Sequence, residues 1–394
     1  MPIDRDDDRL IYLDCSATTP VRADVLEAML PYFGERFGNA GGAYSLGRKA
    51  RGALEAARID VARVLGCRPA EVVFTSGGSE SDNLALRGVA LAMRAAGRGN
   101  HVVTTAIEHE AVLATVHQLE ACFGFEATVV GVDGDGRVDP EAVLDAVRPD
   151  TAVVSVMLAN NEVGTLQPVA AIGAVLRERG VPFHTDAVQA AAYVDLGVEG
   201  LHVDLLSLSA HKFYGPKGVG VLYVRDGTPI AACQTGGGQE GGRRSGTQNV
   251  AGAVGLARAL VLAAGERPAA CAHAAALRDQ LVARLTAAAD GIRLTGHPTN
   301  RLPSHASFCI EGAPADAMLL GLDLHGICAS SGSACSSGNL APSHVLTAMG
   351  VPAEIATGAL RFSLGRMTTD ADVDAVVEVL PPLVERLRGV RVAE

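Results

Sequence analysis

Hydrophobic and polar residues alternate in two kinds of block over the first two thirds of the chain. Between the short β-branched runs lie longer Ala/Leu/Arg-rich stretches with helical spacing. The short runs predict strands at Val72–Thr75, His101–Thr105, Ala127–Val130, Val153–Met157, Pro182–Thr185, Leu205–Ser209 and Val219–Val224. The longer stretches predict helices at Gly47–Leu65, Ser79–Ala96, Ala111–Phe123, Pro140–Val147 and Ala171–Arg179. This alternation is typical of βαβ crossovers, so we predict an α/β fold with a mainly parallel, buried sheet. Ligands of such sheets bind beyond the carboxyl ends of the strands, where the polar residues become candidates.

The pattern changes after about Ala269. The remaining sequence predicts a long helix at Ala275–Ala288, short strands near Ser307–Glu311 and a last helix near Val373–Leu387. A chain of 394 residues is long enough for two domains. We therefore predict a large domain formed by residues 15–262 and a smaller α+β domain formed by residues 1–14 and 263–394. The Ser/Gly-rich segment at about 328–340 predicts a loop carried by the small domain.

Charge and hydropathy exclude several classes of partner. The net charge is −11 at pH 7 and no block of five or six like charges occurs, which argues against nucleic acid as a direct ligand. The N-terminus reads MPIDRDDDRLIYLD and has no apolar run, so neither a secretory signal nor a transit peptide is predicted. The apolar window Val254–Ala264 contains Arg258 and is too short to cross a membrane. We expect a cytoplasmic protein without a membrane partner.

Eight cysteines are present, and none forms a C-x-x-C pair or another spacing typical of a metal site. We therefore expect free thiols and no metal, and for most of them a role as small core residues. Cys335 differs because it lies in ASSGSACSSG, a run too polar for a core. An exposed thiol on a loop that can move is what a travelling nucleophile needs.

A predicted strand leads directly into Ser209, His211 and Lys212. A lysine at the edge of the core loses hydration, which favours the neutral, nucleophilic amine and suits a Schiff base. Asp186 ends another predicted strand, where by itself a helix-cap role is favoured over contact with a cofactor nitrogen. Together the lysine and the aspartate are the two groups that pyridoxal 5'-phosphate requires.

Other candidates follow strands or lie on Gly-rich loops, and each has a structural alternative. Gly78 and Ser79 open a predicted helix that favours an anion, although an N-cap formed by Ser79 and Asp82 is the stronger interpretation. His109 begins a helix and is suited to stacking on a planar ring or to acid/base work, or to a purely structural hydrogen bond. Asn161 offers a neutral amide or simply forms a turn.

Two arginines also have both a functional and a structural interpretation. Arg244 and Thr247 lie on a Gly-rich loop whose donors suit a phosphate, although such loops are common linkers. Arg361 lies inside an apolar run and needs a partner, for which a substrate carboxylate and an internal Asp or Glu are both open.

Six blocks occur together in one order, which is A-N-N-E-x-G, H-x-D-A-x-Q, S-x-H-K, R-S-G-T, S-S-G-S-A-C-S-S-G and R-F-S-L-G-R. From Tyr12 to about Arg366 the chain resembles the cysteine desulfurases, which are class V aminotransferase-like enzymes of the pyridoxal-phosphate-dependent transferase fold type I. The resemblance implies a seven-stranded sheet in the large domain, a homodimer, and conversion of L-cysteine to L-alanine. It also implies that the sulfur passes to Cys335 as a persulfide and then to an acceptor protein.

The resemblance assigns a role to each matching residue. Lys212 looks like the Schiff-base lysine, Asp186 the partner of the pyridinium nitrogen, and Gln189 a partner of the ring oxygen. His109 would stack on the ring and help to move protons. The phosphate would be held by Gly78, Ser79, Ser209, His211 and, from the neighbouring subunit, Thr247. Asn161 and Arg361 would bind the substrate carboxylate, with Asn161 also close to the ring oxygen.

The chain departs from the family pattern in places. Cys15 and Ser16 replace the middle of D-N-A-A-T-T-P, and Gly41, Gly42 and Tyr44 replace residues of G-N-P-S-S-x-H. The sequence after Leu387 does not carry the longer tail of housekeeping members, so the resemblance does not imply an iron–sulfur scaffold as partner. Iron–sulfur assembly, tRNA thiolation, thio-cofactor synthesis and DNA sulfur modification all remain open as the pathway. The alternatives are a selenocysteine lyase or aminotransferase-like enzyme on the same scaffold, and a non-catalytic binding module.

Overall fold

The computed structural model describes residues 10–331 and 342–391. Its strands are Ile11–Tyr12 (β1), Val72–Thr75 (β2), His101–Thr105 (β3), Glu126–Val130 (β4), Thr151–Ser155 (β5), Phe183–Asp186 (β6), Leu205–Ser209 (β7), Gly220–Val224 (β8), Ile292–Leu294 (β9), His305–Ile310 (β10), Ile327–Cys328 (β11) and Ala359–Ser363 (β12). Its α-helices are Ala23–Met29 (α1), Ser45–Leu65 (α2), Gly78–Ala95 (α3), Glu110–Phe123 (α4), Pro140–Asp145 (α5), Val169–Arg179 (α6), Val198–Leu201 (α7), Val250–Ala288 (α8), Ala315–Asp323 (α9), His344–Ala348 (α10), Ala353–Ala356 (α11) and Asp370–Arg391 (α12).

Seven strands form the main sheet in the order β2-β8-β7-β6-β5-β3-β4. Only β8 is antiparallel to its neighbours, and the remaining strands of the sheet run in one direction. The predicted α/β fold with a mainly parallel, seven-stranded sheet is confirmed. The carboxyl ends of β2, β3, β5, β6 and β7 therefore meet at one edge of the sheet, and this edge is where the candidate residues lie.

Helix α8 is the largest difference from the sequence prediction. It begins at Val250, far before the predicted start at Ala275, and it contains Pro268. Its first part is buried on several sides, so the sequence lacks the polar face that reveals a surface helix. The predicted boundary between residues 262 and 263 falls inside this helix, and the division into two domains stays a prediction.

A second unit follows α8. Strands β12, β10 and β9 form an antiparallel sheet, and β1 pairs with β11 in parallel. An apolar cluster joins this unit to the carboxyl edge of the main sheet. Its members are Ile107, Met157 and Val163 from the edge, and Cys309, Val345, Leu346, Met349, Ala356 and Ala359 from the second unit. This packing places β12, which carries Arg361, over that edge. Within residues 10–331 and 342–391, no helix has the length and apolarity to cross a membrane.

Candidate active site

Lys212 lies in a 3₁₀ turn, Ala210–Lys212, that directly follows β7. Its Nζ donates to the carbonyl oxygens of Ser16 at 2.5 Å and Ala17 at 2.9 Å. Residues 14–19, which we call the N-terminal strap, pass across this turn. The backbone N–H and the hydroxyl of Thr19 both donate to the carbonyl of His211, each at 2.8 Å. The strap therefore fixes the position of the amine.

Gln189 reaches the same point from the other side. Its Nε2 donates to the carbonyl oxygen of Ser16 at 2.9 Å, so this oxygen accepts from both Gln189 and Lys212. The side chains that the resemblance assigns to the Schiff base and to the ring oxygen thus lie next to each other.

Asp186 ends β6 and is buried. Its Oδ1 accepts from the backbone N–H of Val188 at 2.8 Å, which is the local capping role favoured from the sequence. Burial raises the pKa of this carboxyl, and the charges of His109 and Lys212 oppose the rise. Asp186 therefore caps its turn and also lies within electrostatic reach of the two candidate proton carriers.

His109 is the N-cap residue of α4, and its Nδ1 accepts from the backbone N–H of Ala111 at 3.0 Å. The structural hydrogen bond considered from the sequence is therefore present. Because Nδ1 accepts, the neutral ring carries its proton on Nε2. The cap therefore fixes the position and orientation of the ring.

The start of α3 differs from the favoured sequence interpretation. The helix begins at Gly78 with Gly77 as its N-cap residue and has no side-chain cap. Ser79 is inside the first turn and Asp82 is buried in the next, so the predicted N-cap by Ser79 and Asp82 is wrong. A Cβ atom on Gly78 would come within 2.9 Å of Val188 Cγ2, so only glycine leaves this close approach unstrained. The uncapped N–H groups at the helix start suit an anion.

Ser209 borders this helix start, and His211 follows it two residues later. A Cβ on Gly77 would lie 3.7 Å from Ser209 Oγ. His211 Nδ1 is 3.1 Å from the hydroxyl of Thr18. Burial lowers the pKa of His211 to about 4, and the nearby Lys212 and Lys217 act in the same direction. The imidazole is therefore neutral at physiological pH and offers one N–H donor.

Arg361, on β12, is buried and has internal partners. Its Nη1 donates to the carbonyl of Asn161 at 2.8 Å and its Nη2 to Asp14 Oδ1 at 2.7 Å, while its buried Nε has no partner in the described part of the chain. The internal acid considered from the sequence therefore exists, and it is Asp14. The Nε–H remains for an anionic ligand.

Asn160 performs the turn function considered for Asn161. Its Oδ1 accepts from the backbone N–H groups of Glu162 and Val163, both at 2.9 Å. Its Nδ2 donates to the carbonyl of Ile107 at 2.9 Å. The side chain of Asn161 is therefore not needed for the turn and is half-buried beside Arg361.

Sequence reasoning missed the role of Ser16. Its hydroxyl donates to the carbonyl of Asn161 at 2.9 Å, and its backbone N–H donates to Ser363 Oγ at 2.8 Å. Ser16 thus connects Lys212, Asn161 and β12 through one residue. Its neighbour Cys15 is inert, because burial raises the pKa of that thiol to about 12. The departures at residues 15 and 16 therefore form part of the site's scaffold.

The Gly-rich loop places Arg244 and Thr247 differently from the sequence hypothesis. Arg244 Nε binds Glu80 Oε1 at 2.8 Å at the start of α3, so its charge is already paired with a carboxylate. Thr247 is exposed, and no hydrogen bond among the described residues joins it to Lys212 or Ser79 of its own chain. Within the described residues of one protomer, Thr247 therefore does not reach the site.

Glu240 anchors this loop in the core. It forms a two-point ion pair with Arg58, with Oε2···Nη1 at 2.7 Å and Oε1···Nη2 at 3.0 Å, and it also accepts from Phe74 N at 2.9 Å.

We expect Glu240→Gln to lower the free energy of unfolding by about 3 kcal/mol, because Arg58 is left as an unpaired buried charge. Urea unfolding checks this, with Asp226→Asn as control, since the exposed Arg68–Asp226 ion pair contributes little to stability. Equal losses in the two variants would contradict the assignment.

Cys335 lies outside the described residues, but the residues before and after its segment are placed. Ser330 exchanges backbone hydrogen bonds with Arg361 at 3.1 and 2.6 Å. Ser343 Oγ donates to Glu162 Oε2 at 2.5 Å, one residue beyond Asn161. One end of the segment is therefore attached at Arg361 and the other at the residue next to Asn161, the two residues predicted to bind the substrate carboxylate.

These residues fit pyridoxal phosphate by their chemistry. A fixed amine, Lys212, lies within electrostatic reach of a buried carboxyl, Asp186, which is suited to a ring nitrogen. A glycine cradle at an uncapped helix start suits the phosphate, and a neutral His211 and a buried Ser209 lie beside it. The fit rests on the side chains and not on any bound group.

Comparisons with known proteins agree with this geometry. The profile of the family Aminotransferase class-V matches residues 11–376. The chain is 48% identical over 383 residues to the cysteine desulfurase IscS of Methanosarcina thermophila, with 97% of this chain and 94% of that protein covered. It is also similar to a solved NifS-like protein, at 39% identity and a TM-score of 0.87, with 98% and 100% of the two chains covered. A structure of SspA in complex with cysteine is 36% identical with a TM-score of 0.78, covering 91% of this chain and 100% of that one.

Class V aminotransferases of this kind depend on pyridoxal phosphate, which confirms the predicted cofactor and the predicted transferase fold type I. The length of the matches also confirms the resemblance on which the site residues were assigned. The chain belongs to the class-V aminotransferase family and, within it, to the cysteine desulfurases.

Proposed function

We propose that this protein is a cysteine desulfurase that converts L-cysteine to L-alanine and passes the sulfur to Cys335 as a persulfide. The observation that carries the proposal is the attachment of both ends of the Cys335 segment beside Arg361 and Asn161. The segment that carries the thiol is thus attached next to the two residues that suit the carboxylate of an amino acid.

Each assigned residue has a place in holding the cofactor. Lys212 would bind its aldehyde carbon, Asp186 its ring nitrogen, Gln189 its ring oxygen, and His109 one ring face. Gly78, Ser79, Ser209 and His211 would hold its phosphate. When bound, pyridoxal phosphate supplies an electron sink that weakens the bonds at the substrate α-carbon.

The substrate carboxylate is proposed to bind between Arg361 and Asn161. Arg361 Nε is a buried donor without a partner among the described residues, and the neighbouring Nη1 donates to the Asn161 carbonyl. Asp14 and the Asn161 carbonyl hold the other two guanidinium nitrogens, so the donor is oriented before cysteine arrives. This preorganisation lowers the entropy lost on binding.

We expect Arg361→Lys to raise the KM for cysteine by roughly 100-fold, because an ammonium cannot satisfy Asp14, Asn161 and a carboxylate together. Steady-state kinetics of alanine formation measure the effect. Arg293→Lys is the matched control, since this arginine is exposed in an ion pair with Glu311. A variant with unchanged KM would remove Arg361 from substrate binding.

Proton movement at the α-carbon is assigned to Lys212 and His109. Lys212 Nζ takes the proton, and the ring of His109, which is fixed through its Nδ1, lies near Asp186. Both groups are held by backbone atoms, so neither has to search for its position.

Sulfur transfer is assigned to the thiolate of Cys335. Its Sγ attacks the substrate sulfur, so an S–S bond forms as the Cβ–S bond breaks, and the substrate carbon gains a proton. Cysteine and the enzyme thiol give alanine and the enzyme persulfide, with atoms and electrons in balance. An acceptor protein or a small thiol then takes the outer sulfur.

The test is to incubate the purified protein with pyridoxal phosphate, cysteine and a thiol reductant. We expect alanine and sulfide in equal amounts. An aminotransferase-like enzyme on this scaffold would release pyruvate or another keto acid instead, and a non-catalytic binding module would release nothing.

We also propose that the active form is a homodimer, in the cytoplasm. Exposed apolar side chains cluster in one stretch of the chain, namely Leu26, Leu30, Phe33, Phe37 and Tyr44. A concentration of exposed apolar side chains in one stretch favours a protein interface. A second copy would also supply Thr247, which does not reach the site within one chain. Sedimentation equilibrium at micromolar concentration is expected to give twice the mass of 40.5 kDa, and a monomer would contradict the proposal.

A further inference from the structure

Two buried carboxyl groups lie close to Asp186 and have no role in the chemistry above. Asp82 on α3 and Glu108 after β3 are 1% and 0% exposed, respectively. Each has one oxygen without a hydrogen-bond partner among the described residues, namely Asp82 Oδ1 and Glu108 Oε2. An ionised carboxylate with an unpartnered buried oxygen is strongly disfavoured. These oxygens are therefore candidates for carrying protons.

A row of polar side chains crosses the sheet beneath Asp186. Ser155 Oγ lies 2.9 Å from His184 Nδ1, and His184 Nε2 lies 2.9 Å from Ser207 Oγ. His184 and Asp186 are two residues apart on β6 and so point to the same face of the sheet. Ser207 is the residue opposite Asp186 on β7. Helix α3 covers this face and brings Asp82 onto the row.

Asp82 meets the row at Ser207 and His184. The Ser207 hydroxyl hydrogen-bonds to its carboxyl group, and its unpartnered Oδ1 is 3.6 Å from His184 Nε2. His184 cannot supply a compensating charge, because complete burial lowers the pKa of its imidazole to about 3. Asp82 thus has no cation among these neighbours.

Asp186 is better suited to hold the negative charge. It accepts a backbone N–H from Val188, and the positive charges of His109 and Lys212 favour its ionised form. Around Asp82, burial and the negative charges of Asp186 and Glu108 all raise the pKa of the carboxyl. When two buried carboxyl groups interact, the less solvated one keeps its proton.

We propose that Asp82 is a positioning residue that stays protonated and so leaves Asp186 as the single negative charge behind the cofactor ring. In this state the Asp82 O–H donates to Ser207 Oγ, the Ser207 hydroxyl donates to His184 Nε2, and His184 Nδ1–H donates to Ser155 Oγ. Ionised Asp82 would compete with the charge of Asp186. The neutral acid lets Asp186 attract the proton of the ring nitrogen.

Glu108 is a second buried carboxyl group of the same kind. Its Oε1 accepts from Thr105 Oγ1 at 2.7 Å and Met157 N at 2.8 Å. The second oxygen is the unpartnered one, and burial raises the pKa of the group to about 8. Glu108 is therefore an internal standard for the measurement on Asp82.

The inference rests on the proposed function only in naming Asp186 as the partner of the ring nitrogen, so its first test uses cofactor-free protein. Infrared spectra at neutral pH are expected to show the C=O stretch of buried protonated carboxyl groups, shifted by slow exchange into deuterium oxide. Asp82→Asn should remove one component and Glu108→Gln another. The control Asp226→Asn, at an exposed carboxylate, should remove none.

Stability gives the second readout, independent of catalysis. Asparagine has the shape and charge of a protonated aspartate. Because wild-type Asp82 binds its proton more tightly folded than unfolded, wild-type stability is lost as pH rises through the range between the two pKa values. Asp82→Asn is therefore expected to gain stability relative to wild type as pH is raised from acid to neutral. An unchanged infrared band, or a relative stability independent of pH, would overturn the proposal.

The loaded enzyme separates this proposal from the proposed function. Asp82→Asn is expected to retain the wild-type visible absorption of bound pyridoxal phosphate and alanine formation within about threefold. Loss of the infrared component together with a shifted visible band and lost turnover would show that the exchangeable proton itself is needed, and would overturn positioning as its role. A wild-type protein with the infrared component but without alanine formation would reject the proposed function and leave the proton on Asp82 intact.

Discussion

Lys212→Ala is expected to lower kcat for alanine formation by at least about 10⁴-fold, the scale seen when one member of a catalytic unit is removed. Nothing else in the described chain places an amine on the N-terminal strap beside Gln189 and Asp186. The variant also loses the group proposed to take the α-proton. Both losses act on the same reaction, so added cofactor should not restore it.

The measurement combines kinetics with intact mass after borohydride reduction. Wild-type protein should retain the mass of one cofactor per chain, and Lys212→Ala should retain none. Lys217→Ala is the matched control, because this lysine follows the same strand but is exposed. If reduction still fixed the cofactor in Lys212→Ala, another lysine would be the attachment point and the assignment would be wrong.

Cys335→Ser is the second large effect, with an expected fall in alanine formation from cysteine of about 10³-fold or more. A hydroxyl is a far weaker nucleophile toward sulfur than a thiolate. Cofactor attachment to Lys212 should be unchanged, because the side chains that would hold the ring come from other elements. Parallel assays of alanine, sulfide and visible absorption separate the two functions.

Cys122→Ser is the control, since that thiol is exposed on α4 and has no place in the site. Full alanine formation in Cys335→Ser would favour the selenocysteine lyase or aminotransferase-like alternative. Loss of cofactor in the same variant would instead indicate that residue 335 supports the fold.

The sheet and the residues at its edge were predictable because they obey local rules. Buried parallel strands are short apolar runs, and polar residues just after them mark the carboxyl edge. Lys212 and Asp186 followed from this rule and from the chemistry that the cofactor needs. The structure places both at the predicted edge.

Contacts between distant parts of the chain were not predictable. The pairing of Arg361 with Asp14 and the link from Ser16 to Asn161 join residues far apart in sequence. No periodicity reports such contacts. Only the requirement that a buried arginine has a partner pointed toward them.

The predicted N-cap of α3 is wrong for a local reason. Ser79 and Asp82 have the residue types of a capping motif, but the helix starts earlier, at Gly78. Asp82 is therefore directed into the sheet, where it meets His184 and Ser207. Polar residues at positions where a buried strand should be apolar, such as His184 and Ser207, are the signal that could have located this network.

The central claim is that sulfur from cysteine moves to one thiol, and anaerobic mass spectrometry tests it most directly. The loaded enzyme is mixed with cysteine, quenched by alkylation under acid, digested and mapped across all eight cysteines. The account predicts a mass gain of one sulfur on the peptide that contains Cys335 and on no other. A gain of sulfur on a different cysteine, or alanine formation with no gain on any of them, would contradict it.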